Sequence, residues 1–359
     1  MKRTKTAIEV EKLSAQVERK QKKDKEKIQL PRAEYEGQEI TISTGSTLLD
    51  LAISGGRFRE GGIPIGIFVE IFGPASTGKT VLLCQIASLM QKANGKIMFH
   101  DPEARLNKQF AKMFGLVPDE IEYTIPNTIP EVFKSVRKWV PNEEEKKAPL
   151  YGVFADSLAA LSTNMEMDKE EGDKMGMRRA KEFSEELRKT CRILTQRNFL
   201  MVCSNQIRQN AGGGQFEPKY KSPGGESVGF YSSLRLRTYQ PEKIWKKLTV
   251  AGKETKRVIG VRTQIEVFKS TIWKPYRTAP LTILFDYGID DVRQNLQFIK
   301  DYTKATIYTI GDSKLGQSME EAIQVVEGAD LENEIRENVI DLWEEIEGKF
   351  DSNRKIKQR

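Results

Sequence analysis

The stretch Gly73-Pro74-Ala75-Ser76-Thr77-Gly78-Lys79-Thr80 constrains this chain more than any other. Its pattern, G-x-x-x-x-G-K-[ST], is that of a loop whose backbone N–H groups cradle phosphates. Such a loop works between a buried strand and a helix, because the helix N-terminus then points its positive end at the anion. The flanks comply. Residues 66–72 read as a short apolar strand, and residues 79 to about 93 read as a helix. Gly73 and Gly78 supply backbone angles that turn the N–H groups inward. Lys79 is expected to reach the β- and γ-phosphates, and the Thr80 hydroxyl to ligate Mg²⁺. Residues 73–80 therefore predict a nucleoside triphosphate site.

The rest of the pattern is built around that unit. Residues 97–100, 151–155 and 200–204 are further short apolar strands, separated by helical segments, notably residues 178–196. Strands alternating with helices imply an α/β fold, with a mostly parallel twisted sheet flanked by helices on both faces. From 234 to 285 the texture turns β-rich, with strands expected at 234–237, 258–267 and 281–285. After about Asp290 the chain becomes helical and acidic, ending in a helix over 331–349 and a basic tip at 354–359. At the other end Ala7, Val10, Leu13 and Val17 recur at helical spacing, followed by the charge run 19–25. That run reads either as a solvated tail or as an arm that packs on a neighbouring subunit. The expected division is a basic N-terminal helical arm over 1–36, an ATPase-like core over 37–290 and a small C-terminal α+β domain over 291–359.

Composition excludes other chemistries. The cysteines are Cys84, Cys191 and Cys203, with no CxxC pair, and His100 is the single histidine. Zinc binding and histidine-assisted nucleophilic catalysis are not expected, and scattered cysteines fit a reducing cytoplasm. The sequence has no apolar run of 18 residues and no apolar segment at its start, so neither a membrane span nor a secretory signal is expected. The net charge of +7 suits a polyanionic partner without requiring one.

Residues 151–157 end an apolar strand on Asp156. An acid in that place beside a phosphate loop orients water on Mg²⁺, or else caps the next element.

Taken together, several segments resemble one family. They are Ile42-Ser43-Thr44-Gly45-Ser46 with Leu49-Asp50, Glu70-Ile71-Phe72-Gly73-Pro74, His100-Asp101-Pro102-Glu103, Asp156-Ser157-Leu158-Ala159-Ala160-Leu161, Asn205-Gln206-Ile207-Arg208, and Gly224-Gly225 followed by Phe230-Tyr231 and Arg235-Leu236. In order and approximate spacing, from about 40 to 290, the set resembles the RecA family of P-loop recombinases. The resemblance implies ATP and Mg²⁺ as cofactors and DNA as partner. The implied activity is a DNA-dependent ATPase that forms helical filaments on single-stranded DNA, pairs them with a duplex and exchanges strands. Single-strand-binding or mediator proteins are implied as further partners. A ring-forming motor or helicase on the same core is the alternative.

The same resemblance assigns roles. Glu103 matches the general base, with Asp101 supporting metal-bound water and Asp156 and Thr80 holding the metal. Asn107 and Phe110 match adenine contacts, although Phe110 also reads as a core residue. Gln206 matches a γ-phosphate sensor leading into a DNA-binding loop at about 209–225. In and beside that loop Arg208, Phe216, Lys219 and Lys221 match DNA contacts. A first DNA-binding loop is implied at about 162–177, with Lys181 and Arg188 on the helix after it. Phe230 matches an interface aromatic. Lys269 matches the first of two lysines that reach across a subunit interface to the nucleotide. The second position is Thr271, a departure for which Lys274 is the nearest substitute.

Overall fold

A computed structural model describes residues 40–139, 150–163, 175–209, 220–221, 225–311 and 313–350. The arm expected over 1–36, most of the loop expected over 162–177, and Phe216 and Lys219 lie outside the described residues.

In chain order the strands are β1 (Thr41–Ile42), β2 (Ile63–Pro64), β3 (Phe68–Gly73), β4 (Lys96–His100), β5 (Glu122–Thr124), β6 (Tyr151–Ala155), β7 (Phe199–Gln206), β8 (Arg208–Gln209) and β9 (Tyr220–Lys221). There follow β10 (Leu234–Thr238), β11 (Glu242–Val250), β12 (Lys253–Ser270), β13 (Thr278–Leu284), β14 (Gly288–Ile289), β15 (Tyr308–Ile310) and β16 (Ser313–Gly316). The helices are α1 (Thr47–Ser54), α2 (Lys79–Lys92), α3 (Lys108–Met113), α4 (Ile129–Lys138), α5 (Met175–Arg197), α6 (Gly225–Tyr231), α7 (Asp291–Thr303), α8 (Met319–Gly328) and α9 (Glu332–Lys349).

The central sheet runs β14-β13-β12-β10-β3-β7-β6-β4-β5, with β11 paired to β12. The stretch from β10 to β5 is parallel, and the β12–β14 end is antiparallel. Alternation along the strands makes two cores. Val69, Ile71, Phe99, Phe154, Leu200 and Val202 face one side with α1 and α2. Phe68, Met98, Val153, Phe199 and Met201 face the other with α4 and α5. A strand buried on both faces has no polar position to spare, which is why these segments read as continuous apolar runs.

The sheet carries one deeply buried charge. Glu70 is 0% exposed on β3, and Arg235 from β10 meets its Oε2 at 2.6 Å. Asn205 from β7 donates its Nδ2 to Oε1 at 2.9 Å. Arg235 also lies over the Phe72 ring at 4.4 Å. The central strands are thus cross-tied by one carboxylate as well as by their ladders.

Of the C-terminal elements α7 and α9 pack onto α1, and α8 and the β15–β16 hairpin pack against α7 and each other, with Leu296, Ile310, Val339 and Trp343 joining the same core as Leu49 and Ile53. At the rim, Arg59 meets Glu337, Asp341 and Glu344 of α9 at 2.7–3.0 Å.

The expected strands and long helices match these elements to within a few residues, apart from β12, which begins five residues ahead of the expected 258. Elements not foreseen include α1, α3, α4, α6, β5 and β11. The last makes a ribbon with β12, closed by Ala251 (φ 51°) and Gly252 (φ 76°). Two consecutive positive-φ residues are the signature of a two-residue hairpin turn.

Removing one partner of a buried pair strands the other in a low-dielectric interior, at a cost of about 3–5 kcal/mol. Arg235→Ala should therefore cost that much in urea unfolding. Glu70→Gln combined with Arg235→Met should cost clearly less than the two single changes added together, because no charge is then left unpaired.

Candidate nucleotide site

The carboxyl ends of β3, β4, β6 and β7 open on a cavity of about 660 Å³. In an α/β sheet this is where ligands bind, in the crevice beyond the strand ends. Residues 75–80 of the loop line it together with Asp101, Glu103, Asp156 and Gln206.

The loop glycines are required by geometry. A Cβ on Gly73 would lie 2.1 Å from Thr238 Oγ1, and one on Gly78 (φ 85°) would lie 2.3 Å from Ile283 Cδ1. The phosphate loop is therefore pressed against the β10 and β13 end of the sheet, and Thr77 Oγ1 bonds Thr238 Oγ1 at 2.7 Å. Lys79 sits at the start of α2, its Nζ donating to the carbonyls of Gly73 (3.2 Å) and Pro74 (2.5 Å). Burial pulls the Lys79 ammonium below its usual pKa, while Asp156 and Glu103 push it back up.

Thr80 Oγ1 donates to Asp156 Oδ2 at 2.5 Å, and Ser204 at the end of β7 donates to the other carboxylate oxygen. Burial raises the Asp156 carboxyl pKa; these two hydroxyls lower it, and the charges of Glu103 and Asp101 raise it again. A hydroxyl and a carboxylate side by side, with two further acids near, fit a divalent cation that takes its other ligands from phosphate and water. Among the described residues no group of three or more His, Cys, Asp or Glu side chains is placed to hold a metal ion without such further ligands.

Glu103 is held from two sides, by Ser157 Oγ at 3.0 Å and by Arg105 at 2.7 Å. Asp101 is 2% exposed, and its Oδ2 accepts from Leu106 N (2.7 Å) and Tyr123 OH (2.8 Å). It braces the turn that carries Glu103. Phe110 lines the cavity and meets Phe114 edge-on at 4.7 Å. Asn107 does not line it; its side chain caps α3 by accepting from Gln109 N at 2.8 Å.

The sequence reading missed Ser157, Ser204 and Arg105, and the apolar wall formed by Met113, Phe114, Val261, Ile283, Leu284 and Phe285. Ser157 stands inside a quoted motif, and Ser204 directly precedes one. The wall comes from distant segments, and no spacing announces it.

The remaining candidates lie elsewhere. Lys269 Nζ donates to the carbonyls of Gly229 (2.8 Å) and Phe230 (2.9 Å) at the end of α6, away from the cavity. Burial is the first cause of its lowered pKa. Phe230 is 75% exposed. Lys274 Nζ lies 5.5 Å from the Trp273 ring, and Thr271 Oγ1 donates to Ser233 O at 3.3 Å. Lys181 and Arg188 are exposed on α5 and seven residues apart, so they share a face. Arg179 instead anchors α5 to the carbonyls of Leu158 and Ala159. Arg208 and Lys221 face each other across the short β8–β9 ladder.

A hydrogen bond to a charged group contributes about 1.5–3 kcal/mol. Ser204→Ala should weaken Mg²⁺-dependent nucleotide retention about tenfold or more near neutral pH. It should also move the acid limb of that retention to higher pH, since Asp156, without the hydroxyl that lowers its pKa, then holds its proton to higher pH. Equilibrium binding of a fluorescent nucleotide across a pH series measures both.

The family model described as the RecA N-terminal domain matches residues 9–290. A protein RecA from Borrelia turicatae is 33% identical over 300 residues, covering 82% of this chain and 78% of that protein. A protein RecA from Thermus aquaticus is 31% identical over 316 residues, covering 85% and 86%. With the loop, the strand-end acids and the sheet order in place, the chain belongs to the RecA family.

Proposed function

We propose that the chain is a DNA-dependent ATPase of recombination and repair. In this reading it forms helical filaments on single-stranded DNA and catalyses homologous pairing and strand exchange. One observation carries the reading. Gln206 lines the same cavity as Lys79 and Glu103, and two residues later the chain enters the β8–β9 ladder that brackets residues 210–219. An amide at a strand end can hold a terminal phosphate and shift the segment that follows it.

The parts then divide as follows. The loop N–H groups and Lys79 bind the β- and γ-phosphates of ATP. Thr80 and Asp156 would hold Mg²⁺, which draws charge off the phosphate oxygens. Glu103 accepts the proton of the attacking water, steadied by Ser157 and Arg105, and Asp101 fixes the turn beneath it. Phe110 and the facing apolar wall take the base. Lys181, Arg188 and the loop residues Arg208, Phe216, Lys219 and Lys221 are assigned to DNA. Exposed Phe230, with Lys269 and Lys274, is assigned to the neighbouring subunit and its nucleotide. ATP held at a subunit junction favours the polymer that binds DNA, and hydrolysis removes that bias.

Lys79→Ala is expected to abolish ATP binding and stable filaments. Glu103→Ala is expected to keep ATP-dependent DNA binding while turnover falls at least 100-fold. The deciding measurement is ATP hydrolysis with and without a single-stranded oligonucleotide, beside negative-stain images with a non-hydrolysable ATP analogue. Equal rates in both conditions and an absence of helical polymers would overturn the proposal. Closed rings would point to the ring-forming motor instead.

A further inference from the structure

The β11–β12 ribbon holds charge that the nucleotide site does not use. Residues 242–257 carry six basic side chains against two acidic ones, a net +4 of the chain's +7. Over residues 253–258, β12 pairs with β11 alone, because the β13 side joins it from Ile259 and β10 at Ile265. There Lys246 stands opposite Arg257 and Lys247 opposite Lys256. Like charges facing each other across a ladder destabilise it, and a two-stranded ribbon outside a sheet has little stability to spare.

One rung is eased by neighbouring side chains. Lys247 reaches Glu254 at 3.2 Å, and Lys256 Nζ lies 4.3 Å from the Trp245 ring. The other face carries Lys246, Lys253 and Arg257, alternating with Leu248 and Val250, and no acidic side chain beyond the base of the ribbon. Leu248 and Val250 are 55% and 59% exposed. Scattered lysines are enough to keep an exposed edge from pairing with another chain. Edge protection therefore does not account for two consecutive like-charged rungs, nor for Trp245 left 48% exposed beside them. A polyanion laid along this face removes the repulsion that the free ribbon bears.

We propose that the β11–β12 ribbon is a nucleic-acid contact of its own, with Lys246, Lys253 and Arg257 holding phosphodiester groups. It lies apart from the loops assigned to DNA above, and it stands whether or not those loops are the ATP-switched site. Acidic protein partners are the competing occupant. They are disfavoured by the spread of cations over both faces of the ribbon, which suits a continuous phosphate chain better than a single acidic side-chain cluster.

The test is fluorescence anisotropy of a labelled single strand and of a duplex of equal length, titrated at several salt concentrations. Wild type is compared with the triple variant Lys246→Ala, Lys253→Ala, Arg257→Ala. Each lost phosphate contact lowers the slope of log K against log salt by about 0.7 for a single strand and about 0.9 for a duplex. The triple variant should therefore lose about 2 units of slope on a single strand or nearly 3 on a duplex, and a loss confined to one form identifies the form the ribbon holds. Circular dichroism melting checks that the variant is folded. The same oligonucleotide should slow tryptic cleavage of the wild-type chain after Lys246 and Lys247. An unchanged slope on both forms, with tryptic cleavage there unaffected, overturns the proposal. In that case DNA-stimulated ATP hydrolysis would still uphold the filament reading. A slope that falls in the variant of a protein whose ATPase ignores DNA would do the reverse.

Discussion

A single buried carboxylate ties the strand that ends at the cavity to the strand that carries the exposed end of α6. Glu70 lies in the middle of the parallel sheet, where water cannot stabilise its charge, so its oxygens need partners from the flanking strands. Asn205 supplies one from the strand that ends in Gln206, and Arg235 supplies the other. Asn205 Oδ1 also accepts from Gln206 N at 3.1 Å. On the far side Arg235 pairs in register with Lys269, whose ammonium holds the carbonyls of Gly229 and Phe230. The backbone of Gln206 and that of Phe230 are therefore joined through hydrogen bonds, one ion pair and the β10–β12 register, with the Glu70 carboxylate at the centre. Such a network tolerates little slack, because each polar group left without a partner there carries the full cost of desolvation.

The nucleotide cavity separates its chemistry by strand direction. All the acids and the lysine stand at the carboxyl ends of parallel strands or on the loop, where the backbone turns and α2 presents its N-terminus. The apolar wall comes largely from the antiparallel end, with Val261 on β12 and Ile283 and Leu284 on β13. One half of the cavity can thus concentrate charge for phosphates while the other stays dry for a base. The two halves meet where Gly78 packs on Ile283 and Gly73 on Thr238, contacts too close for any side chain.

Much of this was legible in the sequence because local rules and global fold agree there. Residues 73–80, the runs ending in His100, Ala155 and Gln206, and α5 follow strand and helix periods, and their motifs sit where the chain leaves the sheet. What was not legible has physical causes. β11 has exposed polar residues on both faces and an irregular register between Ile244 and Trp245, so it shows no clean alternation of apolar and polar positions. Val261 and Phe285 reach the cavity only because the sheet folds them there, from more than 150 residues beyond the loop. Asn107 was read as a nucleotide contact from its place beside Phe110, but Asn is also a strong helix cap, and the start of α3 takes its side chain. Asp101 was expected near the metal-bound water. It lines the cavity, and its Oδ2 also serves Leu106 N and Tyr123 OH, a bracing of the turn bearing Glu103 that no motif shows.

The long strand β12 explains how these separate features come to share one frame. Its first residues make the basic ribbon, Val261 enters the cavity wall, and Lys269 near its end secures α6. Along the way it pairs with β11, β13 and β10, and the β10 pairing shifts register between Arg235 and Leu236. Such an irregularity bends a strand and re-aims the side chains beside it. Here it falls next to the residue that neutralises Glu70. The geometry of the buried ion pair and the reach of Lys269 are therefore set by one local departure from regular pairing. A change in how β12 lies against β10 must be felt at both.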